Sequence, residues 1–119
     1  MSAATTDPDC LFCSIVAGSV PADVAGESEH SLAFRDVNPQ APTHVLVVPR
    51  RHVANAGELA EASADELGDV VLLARTVAEQ EDLGGDYRLV FNTGEGAGQS
   101  VFHAHLHLLG GRSMKWPPG

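Results

Sequence analysis

Residues 103–109 read HAHLHLL, so half of the chain's six histidines fall on alternate positions of one short apolar run. Extended backbone sends alternate side chains to opposite faces. His103, His105 and His107 would then share one face, with Ala104, Leu106 and Leu108 on the other. A helix would put His105 opposite its two neighbours, and the strict alternation after Val101 and Phe102 favours the strand. Such a face has three readings: ordinary hydrogen-bonded histidines, a metal held by all three, or acid–base and nucleophilic chemistry. The outer two lie ~13 Å apart on a straight strand at ~3.4 Å per residue. Zn–N bonds are only ~2.1 Å, so one ion cannot gather all three. Chemistry remains, because an imidazole with a pKa of ~6.5 is mostly neutral, hence nucleophilic, near pH 7.

The neighbouring residues say what it would attack. The stretch TGEGAGQS, residues 93–100, carries Gly94, Gly96 and Gly98 before Gln99 and Ser100. Alone it reads as a glycine-rich hairpin loop. Beside a histidine face its N–H groups can turn inward and cradle an anion. It is no P-loop, since a strand follows rather than a helix. Asp36, between a strand and a turn, can cap that turn or project into a cleft. Asn92 can simply start the hairpin. Together a carboxylate, a cradle and a nitrogen nucleophile supply what a nucleotide site needs.

Cys10 and Cys13 form a C-x-x-C pair. A redox pair would normally follow a strand at a helix start, and only a polar tail precedes this one. Free thiols, a disulfide and half of a tetrahedral zinc site are the remaining readings, and the zinc site is favoured. Its other half would need two histidines, with His52 and His103 as candidates.

These residues need elements to hold them. CLFCSIV (10–16) begins with one or two helical turns stopped by Gly18 and Pro21. SLAFRDV (31–37), HVLVVPR (44–50), YRLVFNT (87–93) and VFHAHLHLL (101–109) read as strands. One long helix starts at the Ser63 capping box with Glu66 and runs on apolar spacing to Gly84-Gly85. Asp65, Glu66 and Asp69 in its first turns read as a solvated face favoured by the helix dipole. Short connections favour antiparallel neighbours. The expected fold is α+β, an antiparallel sheet with one long helix packed on it. Residues 1–9 read as a polar tail, 10–119 as one domain, and 111–119 as its extended C-terminal tail.

The chain has 119 residues, enough for one domain that buries roughly 65% of its unfolded surface. Seven Lys plus Arg against sixteen Asp plus Glu leave a net charge of −9, which disfavours nucleic acid as a partner. No apolar run nears the ~20 residues of a membrane span. MSAATTDPD lacks a signal peptide's basic and apolar regions. A cytoplasmic protein is expected.

HAHLHLL resembles the histidine triad motif, His-φ-His-φ-His-φ-φ with φ apolar, of the HIT superfamily. CLFCSIVAGSVPA is similar to the N-terminal segment of bacterial members. Residues 34–52 (FRDVNPQAPTHVLVVPRRH) and 98–119 resemble the Hint branch, the histidine triad nucleotide-binding proteins, and the ending GGRSMKWPPG is more specific than the triad.

The resemblance implies a HIT-like fold, a two-fold homodimer, and hydrolysis of purine nucleoside 5′-phosphoramidates of the AMP-lysine or AMP-NH₂ type. His105 would be the nucleophile that takes up the nucleoside monophosphate. His107 and His44 would polarise and orient the phosphate. Asn92, Gln99 and Ser100 would hydrogen-bond phosphate or leaving group, with N–H groups of the loop through Gly98. Asp36 would accept the ribose hydroxyls, and Phe12, Phe34, Val37 and Leu46 would wall the base. Zinc-containing relatives use the first triad histidine as a ligand, which implies structural zinc on Cys10, Cys13, His52 and His103. Lys115 stands where animal Hint proteins often have histidine, which bears on the leaving group. A nucleotide-binding regulatory module, a dinucleoside polyphosphate hydrolase and a small zinc scaffold are the competing functions.

Overall fold

The run Thr43–Pro49 is fully buried along its length, as a strand that is apolar on both faces must be, and the sheet is built around it. In this computed structural model, which describes residues 6–119, five strands take the order β1-β2-β3-β5-β4, all antiparallel. They are β1 (Val24–Glu27), β2 (Ser31–Arg35), β3 (Thr43–Pro49), β4 (Tyr87–Phe91) and β5 (Leu106–Gly110). The helices are α1 (Leu11–Val16), α2 (Ala56–Ala62) and α3 (Ala64–Gln80). The fold is the expected α+β arrangement. Part of the 1–9 tail lies outside the described residues.

Alternation along the strands makes two cores. Ala33, Val45, Val47, Leu106 and Leu108 face α3 and pack on Val70, Leu73, Ala74 and Val77. Leu32, Phe34, Leu46 and Val48 face the other way and are covered by Phe12 of α1. His44 and His107 belong to this second face, because they alternate with the first set.

Several local expectations needed correction. The last strand begins at Leu106, not Val101. Its N-terminal half leaves the ladder because Ala104 N–H bonds Val53 O at 2.8 Å. Residues 101–105 therefore form a bend, and of the triad only His107 lies on a strand. β1 and α2 were not anticipated. β1 is short and weakly apolar, and its Gly26 lies so near α3 that a Cβ there would meet Val77 at 3.3 Å. In α2 only Leu59 is buried, and Asn55 caps it by accepting from Glu58 N–H. Ser63 caps α3 with its Oγ accepting from Glu66 N–H at 3.1 Å, but the capping box is only half formed, because Ser63 N–H bonds Leu59 O and the Glu66 carboxylate goes to Arg51. Glu66 and Asp69 do not form a solvated face: Glu66 takes a two-pronged bond from Arg51, and Asp69 accepts from Ser28 and Ser31. α3 stops at Gln80, short of the glycines, which form the turn into β4 with φ of 65° and 85°. Residues 111–119 hold no helix or strand. No helix among the described residues is long and apolar enough to cross a membrane.

Candidate active site and metal centre

β3 and β5 pair with Leu46 opposite His107 and Leu109 opposite His44. His44 and His107 are therefore diagonal neighbours on one face, within reach of each other. His44 Nε2 and His107 Nδ1 are 2.9 Å apart, and His105 and His107 ring centroids are 5.0 Å apart.

Hydrogen bonding sets which nitrogens carry protons. Gln40 N–H can only donate, so His44 Nδ1 accepts at 3.0 Å and neutral His44 carries its proton on Nε2. That N–H donates to His107 Nδ1, leaving the His107 proton on Nε2. His105 lies 2.8 Å through Nδ1 from the carbonyl of His103. A carbonyl only accepts, so Nδ1 is protonated and the lone pair of His105 sits on Nε2. Burial keeps the relay neutral. It lowers His107 to about 4, with His105 and His44 adding to the effect and Asp36 opposing it. His44 is also lowered by burial, against the pull of Asp36.

The face opens into a cleft of about 520 Å³, the size of a small-molecule site. His105, His107, Ser100 and Asp36 line it beside Phe12, Ile15, Phe34, Leu46 and the exposed Val37. Asp36 does both jobs open to it. Its Oδ1 caps the turn by accepting from Asn38 N–H, and its Oδ2 lies 3.5 Å from His44 Nε2. His44 stands behind His107 rather than on the cleft.

The glycine loop contains a 3-10 turn at Glu95–Ala97 and folds upon itself. The N–H groups of Ala97, Gly98 and Gln99 bond carbonyls within the loop. Gln99, 2% exposed, donates to Ala54 and Val101 carbonyls and accepts from Gly94 N–H. Its side chain holds the loop in shape and delivers Ser100 to the cleft. Asn92 stands beside Gly98 of the loop, and neither lines the cleft. The lining from Ile15 and from Pro21–Asp23 was missed in the sequence. Leu11 and Ile15, four apart on a helix and both on the cleft, were the available signal. A hollow of about 640 Å³ by the C-terminal tail, lined by Arg88, Arg112 and Met114, holds neither histidine nor cysteine.

The second group is Cys10, Cys13, His52 and His103, whose donor atoms lie within 4.8 Å of one another. His103 Nδ1 is 3.5 Å from both sulfurs and 3.2 Å from His52 Nδ1, which is 3.4 Å from Cys13 Sγ. Ligands ~2.0–2.3 Å from a tetrahedral ion stand ~3.3–3.8 Å apart, so these residues fit zinc. The proton pattern agrees. His103 Nε2 lies 2.8 Å from Pro49 O, an acceptor, so its Nδ1 lone pair faces the sulfurs. Asp7 and Cys13 N–H groups point at Cys13 and Cys10 sulfurs, both at 3.4 Å. Burial pushes the Cys13 thiol up, and the adjacent Cys10 pushes it further. A divalent cation would supply the charge that keeps both as thiolates.

A HIT domain profile matches residues 17–114. The chain belongs to the HIT family. Among its HIT relatives it is similar to the 14 kDa zinc-binding protein of Zea mays, 45% identical over 115 residues, 95% of this chain and 90% of that one. Its fold matches that of a HIT family hydrolase from Legionella pneumophila with a TM-score of 0.88, 48% identity, and coverage of 93% of this chain and 100% of that one. It also matches the histidine triad nucleotide-binding protein of Candida albicans, with a TM-score of 0.78, 29% identity, and 92% and 83% coverage.

Proposed function

We propose that this HIT protein is a hydrolase of the Hint type that cleaves purine nucleoside 5′-phosphoramidates through a nucleotide covalently held on His105. One observation carries the reading: the relay Gln40–His44–His107 and the His103 carbonyl leave an unprotonated His105 Nε2 beside a protonated His107 Nε2 at one apolar cleft. The names of the Legionella and Candida proteins point the same way.

In this reading Phe12, Phe34, Leu46 and Val37 receive the base, and Asp36 Oδ2 accepts the ribose hydroxyls. His105 Nε2 bonds the α-phosphorus while the P–N bond breaks. The substrate nitrogen takes a proton from solvent, so a neutral amine leaves rather than its anion. Ser100 and His107 assist that transfer as hydrogen-bond donors to the nitrogen and the phosphoryl oxygens. His105 keeps its Nδ1 proton on the His103 carbonyl, which stabilises the charged adduct. Water then attacks phosphorus, the P–Nε2 bond breaks, and nucleoside monophosphate leaves with release of a proton. Gln99, Gly98 and Asn92 serve through the loop that places Ser100.

Zinc on Cys10, Cys13, His52 and His103 would be structural, tying α1 and the residues before it to the end of β3. Reduced thiols of this kind support a cytoplasmic location. The edge position of β4, unpaired among the described residues and with Leu89 exposed, and the exposed Trp116 support a homodimer. The chemistry is tested by quenching turnover of adenosine 5′-phosphoramidate and weighing peptides by mass spectrometry. An added nucleotide on His105 is expected. Binding of AMP without turnover would instead indicate a regulatory module.

A further inference from the structure

The metal cluster and the cleft are not separate sites, because two groups belong to both. Phe12 sits between Cys10 and Cys13 in the chain, and its ring is buried edge-on to His105 at 5.1 Å and 85°. The same ring stands 5.5 Å from Phe34 and 6.0 Å from His103. His103 offers Nδ1 to the cluster while its own carbonyl holds the Nδ1 proton of His105. A six-residue helix cannot hold itself in water. What orders α1 is the cluster at its N-terminal end, where Cys10 Sγ caps Cys13 N–H, and apolar contact along its side. That side supplies Leu11, Phe12 and Ile15 to the cleft wall.

We propose that Phe12 and the His103 peptide are positioning elements for His105, and that zinc on the cluster and a nucleotide in the cleft bind with positive linkage through them. The proposal rests on the nucleotide-binding reading above. A cluster filled with zinc fixes α1, and with it the Leu11, Phe12 and Ile15 part of the cleft wall and the acceptor that sets the His105 tautomer. A nucleotide base packed on that wall holds α1 down in turn, which opposes loss of the ion. Linkage is reciprocal, so the factor by which zinc tightens nucleotide equals the factor by which nucleotide tightens zinc.

The test uses the full chain loaded with zinc, with AMP as the probe. AMP affinity is measured on loaded and chelator-stripped protein, and the equilibrium extraction of zinc by a competing chromogenic chelator is measured with and without saturating AMP. A loss of AMP affinity of about tenfold on stripping is expected, with AMP tightening zinc in the competition by the same factor. Phe12→Leu leaves all four ligands in place, so it should still hold zinc while both factors fall towards one. Nitrogen-15 NMR of His105 should show the Nδ1-protonated tautomer in loaded wild type and a mixture in Phe12→Leu. If stripped protein unfolds, extraction from loaded protein decides alone. Extraction unaffected by AMP overturns the linkage, and full linkage in Phe12→Leu overturns the role of Phe12. AMP that fails to bind loaded protein sinks the nucleotide reading and the linkage together. The tautomer signature then decides separately whether Phe12 positions His105, and an unchanged signature overturns that part.

Discussion

His105 and His107 carry different burdens although both imidazoles line one cleft, the first buried and the second half-buried. In the proposed mechanism His105 forms the bond to phosphorus, so His105→Ala should lose several orders of magnitude in turnover. AMP affinity should change far less, because Asp36 and the apolar walls remain. In that mechanism His107 assists protonation of the leaving nitrogen without bonding to phosphorus, held in its Nε2-protonated tautomer by His44. His107→Ala should therefore cost less, roughly 10²–10⁴-fold in kcat. Steady-state kinetics on both variants checks the order, and normal turnover by His105→Ala would end the assignment. His107 also makes stability depend on pH. Its folded pKa of about 4 lies below the ordinary value of ~6.5, so between these the unfolded chain takes up a proton that the folded one refuses. Its contribution is full above pH 6.5 and is lost as pH falls towards 4. Denaturant midpoints at pH 7.5 and 5 should differ more for wild type than for His107→Gln. The two proteins share the metal cluster, so the difference isolates this ring.

At the scale of elements, the 94–100 loop and α1 are held by few contacts, and each is sensitive to one residue. Gln99 closes the loop with three hydrogen bonds from a buried amide. Gln99→Leu should destabilise by about 1–3 kcal/mol, since half-buried backbone partners on Ala54, Gly94 and Val101 lose their bonds. It should also lower kcat by displacing Ser100. Thermal melting together with kinetics reads both, and unchanged kcat would show that the loop does not place Ser100. For α1 the expected anchor is the ion. Protein purified without added metal should contain about one zinc per chain by elemental analysis, and Cys13→Ser should lose it. Metal-free protein with full activity would remove zinc from the account.

For the whole molecule, the position of β4 at the sheet edge and the Met114 and Trp116 side chains of the tail raise the question of assembly. Trp116 is 84% exposed, and Leu72 on α3 and Leu89 on β4 are open to water. Light scattering at micromolar concentration should give twice the chain mass. Truncation after Gly111 should change preference among phosphoramidate leaving groups, as expected if each tail lies near the partner's cleft. A monomer, or unchanged preference, would count against this arrangement. Why the tail leaves the sheet here is visible at two glycines. A Cβ on Gly110 would stand 2.6 Å from Leu83, and Gly111 adopts a φ of 89° with Pro42 beside it.

What could be read from residues alone was whatever depends on local order along the chain. A continuous apolar run gave β3, apolar alternation gave the Leu106–Leu108 core face, and the Ser63 cap gave the start of α3; these elements survive because periodicity and capping act within a few residues. Residue type and spacing also picked out His105, His107, Asp36 and the four metal candidates, which the fold brings to one cleft and one cluster. The tertiary structure decided what depends on distant partners. Val53 draws Ala104 out of the ladder, so the triad is split between a bend and a strand, and His103 can turn to the cysteines. Gln40 and the His103 carbonyl choose the tautomers; both lie within four residues of their histidines, but the path of the backbone rather than residue type brings them to the rings. The glycine loop spends its N–H groups on itself, since a 3-10 turn satisfies them locally. β1 stayed hidden because a four-residue edge strand with a glycine is ordered by its contact with α3 rather than by its own pattern.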